Sequence, residues 1–148
     1  DLHPGTGGLP GTPAERARAR LISRIHDVYL SSAVTTLFRN LNPAKRDEAA
    51  VASAKTSAET GFGYLEHFVV ASPFAAGSQL SLADCALLPS IVILRKTAFP
   101  AFGMNDPTAG DGALGRWWSA CEADAVAAPF MKEYSTAVDA FLKMLAGK

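Results

Sequence analysis

Leu80-Ser81-Leu82-Ala83-Asp84 stands at the head of the most apolar stretch of the chain, Leu82 to Leu94. The pattern is that of a helix start. Ser81 as N-cap accepts from the backbone N–H of Asp84, and the Asp84 carboxylate reaches back to the N–H of Ser81, doing the work usually given to Glu or Gln. Leu80 before the cap and Cys85 at the fourth helical position form the expected hydrophobic staple. The helix is predicted from Ser81 to about Lys96, apolar almost all round and so buried. Pro89 falls in its interior and is expected to kink it. Orphan donors at the end of a buried helix have no water to turn to, so losing either partner costs about 1–2 kcal/mol. A catalytic Ser/Asp pair is the competing reading, but no histidine is positioned to act as base. We read the pair as structural.

Upstream, Thr12-Pro13-Ala14-Glu15 supplies a cap hydroxyl, a proline at the first helical position and a carboxylate three residues on. A helix is predicted from there to about Asn40. It carries two apolar stripes, Ile22, Ile25, Tyr29, Ala33 and Leu30, Val34, Leu37, Leu41, which imply packing on more than one side. Asn42-Pro43 repeats the cap-plus-proline signal and is expected to open a second helix to about Ala71, with Ala58, Phe62, Leu65 and Val69 facing inward. Gly61 and Gly63 within it each cost about 1 kcal/mol against alanine, a cost that close helix approach offsets. Downstream, 72–80 reads as a short loop and 98–112 as a long one. One helix carries Leu114, Trp117, Trp118 and Cys121, and a last one after Pro129 carries Met131, Tyr134, Val138, Phe141, Leu142 and Leu145. No segment reads as a paired strand. The expected class is all-α, a bundle of about five or six helices.

The 148 residues fit one domain, and 49% apolar side chains supply its core. Fourteen basic residues balance 14 acidic ones, which argues against electrostatic capture by nucleic acid or anionic lipid. The apolar stretch at 82–94 is interrupted by Asp84, Pro89 and Ser90 and is shorter than the ~20 residues a bilayer needs. Cys85 and Cys121 form no CxxC, and His3, His26 and His67 are not spaced with them as metal ligands, so no metal is expected. Both thiols are expected to be buried and reduced, consistent with a cytoplasmic setting. Residues 1–11, rich in Gly and Pro and not begun by Met, read as a linker remnant cut from a longer protein, with the helical domain at 12–148.

Gly77-x-x-x-Ser81-x-Ala83-Asp84, followed by a buried helix and a tryptophan in the next one, resembles the C-terminal domain of cytosolic glutathione S-transferases. Thr12-Pro13-Ala14-Glu15-Arg16-Ala17 is similar to that family's entry into the first helix of the domain. Ser81 through Pro89 (SLADCALLP) particularly resembles the zeta-like and related bacterial branches. The resemblance covers nearly the whole chain. It implies a partner half, a thioredoxin-like N-terminal domain that binds glutathione and activates its thiol, for which this sequence has no segment; the chain alone is not expected to be catalytic.

What the resemblance assigns to these residues is one wall of the pocket for a hydrophobic electrophilic small molecule, together with a homodimer surface on the first two helices. Alignment at Arg16-Ala17 places Val28, Tyr29, Ser31, Ser32 and Thr35 on that wall. Tyr29 and Ser32 are expected hydrogen-bond donors, and Val28 and Thr35 expected lining. Some family members carry a histidine where this chain has Ser31. The alternative is a non-catalytic binding or assembly module on the same helical domain. Ordinary readings serve the rest: His26 as a part-buried, hydrogen-bonded residue rather than a catalytic one, Arg16, Arg20 and Arg24 as a solvated ridge rather than an anion site, and Trp117-Trp118 as core.

Overall fold

The computed structural model describes residues 11–146; the linker expected over 1–11 lies outside them except for Gly11. The described residues contain helices α1 (Pro13–Ile25), α2 (Ser31–Arg39), α3 (Glu48–Phe68), α4 (Leu82–Lys96), α5 (Ala98–Phe102), α6 (Ala113–Ala123) and α7 (Ala127–Ala146), and no strands. A single π-helical turn, His26–Leu30, joins α1 to α2 into one rod. The expected all-α class holds.

The rod starts where the sequence places it. Thr12 N donates to Glu15 Oε2 (2.7 Å) and Glu15 N donates to Thr12 Oγ1 (3.2 Å), the two halves of a capping box. The Thr12 backbone N–H first, and its hydroxyl second, hold the Glu15 carboxyl below its ordinary pKa. Along the rod the buried residues are Ala19, Ile22, Ile25, Leu30, Ala33, Val34 and Leu37. The step from Ile25 to Leu30 is five residues, where an α-helix steps three or four. The π turn absorbs the extra residue, so the two stripes seen in the sequence join into one buried face. That face packs on both α3 and α4.

Asn42-Pro43 opens only a 3-10 turn, Pro43–Lys45; α3 begins at Glu48, capped by Asp47, whose side chain accepts from Ala50 N at 3.0 Å. It ends at Phe68, three residues short of the expected Ala71. Its expected inner face is correct: Ala58, Phe62, Leu65 and Val69 are all buried.

α4 is the centre of the bundle, in contact with α1, α2, the π turn, α5 and α7. It runs unbroken through Pro89 and buries Ala83, Asp84, Leu87, Leu88, Ile91, Val92 and Leu94. Its first turn emerges at the end of the bundle, where Leu82 and Cys85, three apart on one edge, face solvent. Cys85 is therefore not the buried thiol expected. Cys121 is, and burial in apolar surroundings, with the Asp84 charge adding, pushes its pKa up to about 12.

The expected loop at 98–112 contains α5. Pro100 sits in its first turn, where a missing N–H leaves no bond unmade, and Gly103 ends it at φ +60° with Met104 N donating to Phe99 O (3.0 Å). α7 likewise starts two residues before Pro129. Asp124 Oδ1 accepts from Val126 N (2.9 Å) and Ala127 N (2.8 Å), and these bonds hold its carboxyl below the ordinary range.

Candidate functional site

Two arrangements of polar groups stand out, one inside the bundle and one on its surface. The inner one is centred on Asp84, which is fully buried. The Ser81–Asp84 capping box is formed, and its well-made bonds end on the carboxylate. Oδ2 accepts from Ser81 N and Ser81 Oγ, both at 2.8 Å. Oδ1 accepts from Ala75 N (2.9 Å) and from the indole Nε1 of Trp117 (2.8 Å). Four donors thus surround one carboxylate that has no cation beside it among the described residues. Such a carboxylate, with both oxygens engaged by the fold, serves as an anchor. It ties the 69–81 loop and α6 to the head of α4, and the structural reading of the pair stands.

The surface arrangement is the outer side of the π turn and α2. Tyr29 would continue the stripe of Ile22 and Ile25 at α-helical spacing, but the π turn sets it half-buried at the bundle's edge. Its carbonyl accepts from Ser57 Oγ of α3 at 2.9 Å. Its ring meets that of Tyr64 with centroids 5.2 Å apart and planes tilted by 56°. Gly61 lies beneath: a Cβ there would fall 2.7 Å from the Tyr29 Cβ. The Tyr64 phenol, through its charge when ionised and a hydrogen bond, raises the Tyr29 pKa above its ordinary value. Ser57, Gly61 and Tyr64 repeat at i, i+4, i+7 on α3, a spacing visible in the sequence but not singled out there.

The close approach offsets the helix cost of Gly61, whereas nothing lies within 4 Å of a Cβ at Gly63. Gly61→Ala is expected to push the π turn away from α3 and destabilise the domain by about 1–3 kcal/mol, the usual cost of overpacking. Chemical denaturation checks it: a midpoint unchanged from the parent would mean the two helices separate freely.

Val28, Ser31, Ser32 and Thr35 are exposed and, at i, i+3, i+4 and i+7, share one ridge of the rod beside Tyr29. Thr35 Oγ1 donates to the Ser31 carbonyl at 3.2 Å. Ser32 also borders a groove of ≈ 280 Å³ between α2 and α3, lined by Thr36, Ser53, Ser57 and three alanines. A larger groove of ≈ 460 Å³ crosses α4, α6 and α7 past Arg95, Lys96, Trp118 and Met131; none of the five residues borders it.

The remaining candidates settle as follows. His26 is hydrogen-bonded from both ring nitrogens, Nε2 with Ser90 Oγ (2.8 Å) and Nδ1 with Asp27 Oδ1 (3.2 Å). Arg16 donates to the Gly11 carbonyl, while Arg18, not one of the ridge, reaches Ala76 O at 3.2 Å. Trp118 is buried, with the Arg95 guanidinium 4.6 Å above its ring and its Nε1 donating to Glu122 Oε1 (2.7 Å). Among the described residues no His/Cys/Asp/Glu group is arranged to hold a metal ion, and no helix is long and apolar enough to cross a membrane. Glu66 of α3 was missed by sequence reading. Its carboxylate accepts from Ala113 N and from Leu114 N (3.1 Å), capping α6 from another helix.

A central buried helix closed by a serine–aspartate box, inside an all-helical bundle, defines a recognisable class of domain. A family model described as "Glutathione S-transferase, C-terminal domain" matches residues 25–125, from the end of α1 to just past α6. The chain belongs to that family. A search of curated proteins found no match.

Proposed function

We propose that this chain is the helical half of a glutathione S-transferase-type protein of the zeta-like or a related bacterial branch. In the intact protein a thioredoxin-like domain holds glutathione and activates its sulfur, and this domain presents a hydrophobic electrophile to it. Val28, Tyr29, Ser31, Ser32 and Thr35 form the co-substrate wall, and the rod and α3 supply a homodimer surface in a cytoplasmic protein. The observation that carries the reading is the exposed ridge beside Tyr29, whose ring is set against that of Tyr64 with centroids 5.2 Å apart. Hydroxyls at Ser31 and Ser32 and the apolar Val28 give that ridge the mixed character an amphipathic electrophile needs. The sulfur chemistry stays with the partner domain. This chain's part is to bind and orient.

Fusion or co-expression with a matching thioredoxin-like domain is expected to give glutathione conjugation of an aryl halide. Within the active protein, Tyr29→Phe and Ser32→Ala should each raise KM for the aryl halide about three- to tenfold, the value of one neutral hydrogen bond, with KM for glutathione unchanged. A folded but inactive fusion would turn the assignment toward a binding or assembly module.

A further inference from the structure

Asp27, His26 and Ser90 form a line of polar contacts across the joint between the rod and α4. His26 Nδ1 is 3.2 Å from Asp27 Oδ1, and His26 Nε2 is 2.8 Å from Ser90 Oγ, a residue 64 positions away. A carboxylate only accepts, so in the neutral ring the proton sits on Nδ1 and Nε2 accepts from the Ser90 hydroxyl. That is the order and sense of contacts in which a histidine acts as base toward a serine.

Two features separate this arrangement from ordinary helix packing. Ser23, Thr35, Thr56, Thr60 and Thr136, each inside a helix, donate to the carbonyl four residues back. Ser90 lies in the middle of α4, yet its hydroxyl is turned to His26 instead. Neighbouring side chains on an α-helix diverge by about 100° and do not face each other. His26 and Asp27 nevertheless meet, at the first step of the π turn, a device frequent at functional sites. His26 and Ser90 are part-exposed and the Asp27 side chain is 59% exposed, so the line is open to solvent.

We propose that Ser90 is a nucleophile toward activated carboxylic esters, with His26 as its base and Asp27 as the residue that positions the ring. Ser90 Oγ adds to the ester carbonyl while its proton passes to His26 Nε2. The bond from the acyl carbon to the alcohol oxygen then breaks, and the alcohol leaves with that proton. Water adds to the acyl carbon, giving a proton to Nε2, and the acid departs as that proton returns to Ser90 Oγ. Only the first turn of α4 has unspent N–H groups, so around Ser90 the helix offers the developing oxyanion no backbone donor. The leaving group therefore has to be a good one, which selects aryl esters over amides. The reaction needs neither glutathione nor a partner domain, and stands or falls independently of the function proposed above.

Two measurements on the full chain test it: p-nitrophenolate release from p-nitrophenyl acetate, and labelling by a fluorophosphonate, whose fluoride Ser90 displaces. Release is expected to exceed that given by free imidazole at the same concentration, and mass spectrometry is expected to find the label on Ser90. Ser90→Ala should abolish both. His26→Gln should slow both about a hundredfold or more, the value of a general base. Asp27→Asn, at an exposed position, should lower kcat for the ester with KM and melting temperature unchanged. Cys85→Ala removes the exposed thiol of the same helix and should leave release unchanged. Release no faster than imidazole gives, a label on another residue, or Ser90 and Asp27 variants that keep the parent rate would overturn the proposal. The His26–Ser90 bond would then be a tie between the rod and α4 alone.

Discussion

Asp84→Ala is expected to remove most of the domain's stability. Three N–H donors, those of Ala75, Ser81 and the Trp117 indole, lose their acceptor where the carboxylate was fully buried. A buried donor left unmade costs about 1–3 kcal/mol, so three of them cost about 3–9 kcal/mol even when the Ser81 hydroxyl finds another partner. A domain of this size holds only about 5–15 kcal/mol in total. The melting temperature should fall by about 10 °C or more, or the chain should fail to fold. Asp84→Asn keeps the shape and one carbonyl oxygen, which can still serve Ala75 and Trp117. Its amide turns toward Ser81 N–H, a donor meeting a donor, so its loss should be smaller but clear. Equal melting temperatures for parent and Asp84→Ala would show that the four bonds contribute nothing to the fold.

The second large effect is expected at Gly115 of α6. A Cβ there would lie 1.7 Å from the Gly110 carbonyl oxygen and 2.7 Å from its carbon, both backbone atoms that no rotamer change can move. The loop would have to lift, and it is pinned. Thr108 N and Oγ1 donate to Asp106 Oδ1 at 2.9 and 2.6 Å, and Asp106 Oδ2 pairs with Arg95 Nε at 2.9 Å. Gly115→Ala is therefore expected to cost about 3 kcal/mol, at the upper end of ordinary overpacking. Gly63→Ala, with open space around it in an exposed helix interior, should instead stabilise by about 0.5–1 kcal/mol. Denaturant midpoints moving in opposite directions for the two alanines check both at once; movement in the same direction would contradict the packing of the 104–112 loop on α6.

What the sequence disclosed was local. Both capping boxes close over three residues, so Thr12 with Glu15 and Ser81 with Asp84 were legible as text, and with them the heads of α1 and α4 and the all-α class. Asn42-Pro43 carries a similar signal yet closes only a 3-10 turn, because Asp47 five residues on offers its carboxylate to Ala50 and takes over the start of α3. The Trp117–Asp84 bond spans 33 residues and the Glu66 cap of α6 spans 47 and 48. No periodicity reports such pairs. The π turn was present in the sequence as two stripes, but spacing alone does not distinguish one face with a five-residue step from two faces. Cys85 sits in an apolar run, and only its position on the edge of the bundle exposes it. For the candidate wall, the exposure and shared ridge of residues 28–35 follow from helical spacing; the supports of Tyr29 at Ser57, Gly61 and Tyr64 come from a different helix.

The five-residue step in the rod has a consequence for changes in chain length. Insertions and deletions ordinarily collect in loops, because within a helix one residue more or less rotates everything beyond it by about 100°. Here the rotation is already built in between Ile25 and Leu30. Dropping a single residue from 26–30 would turn the five-residue step into the four of a uniform α-helix and leave Leu30, Ala33, Val34 and Leu37 in line with Ile22 and Ile25. The rod can thus lose one codon at this turn without exchanging its inner and outer faces, a tolerance that a uniformly wound helix does not have.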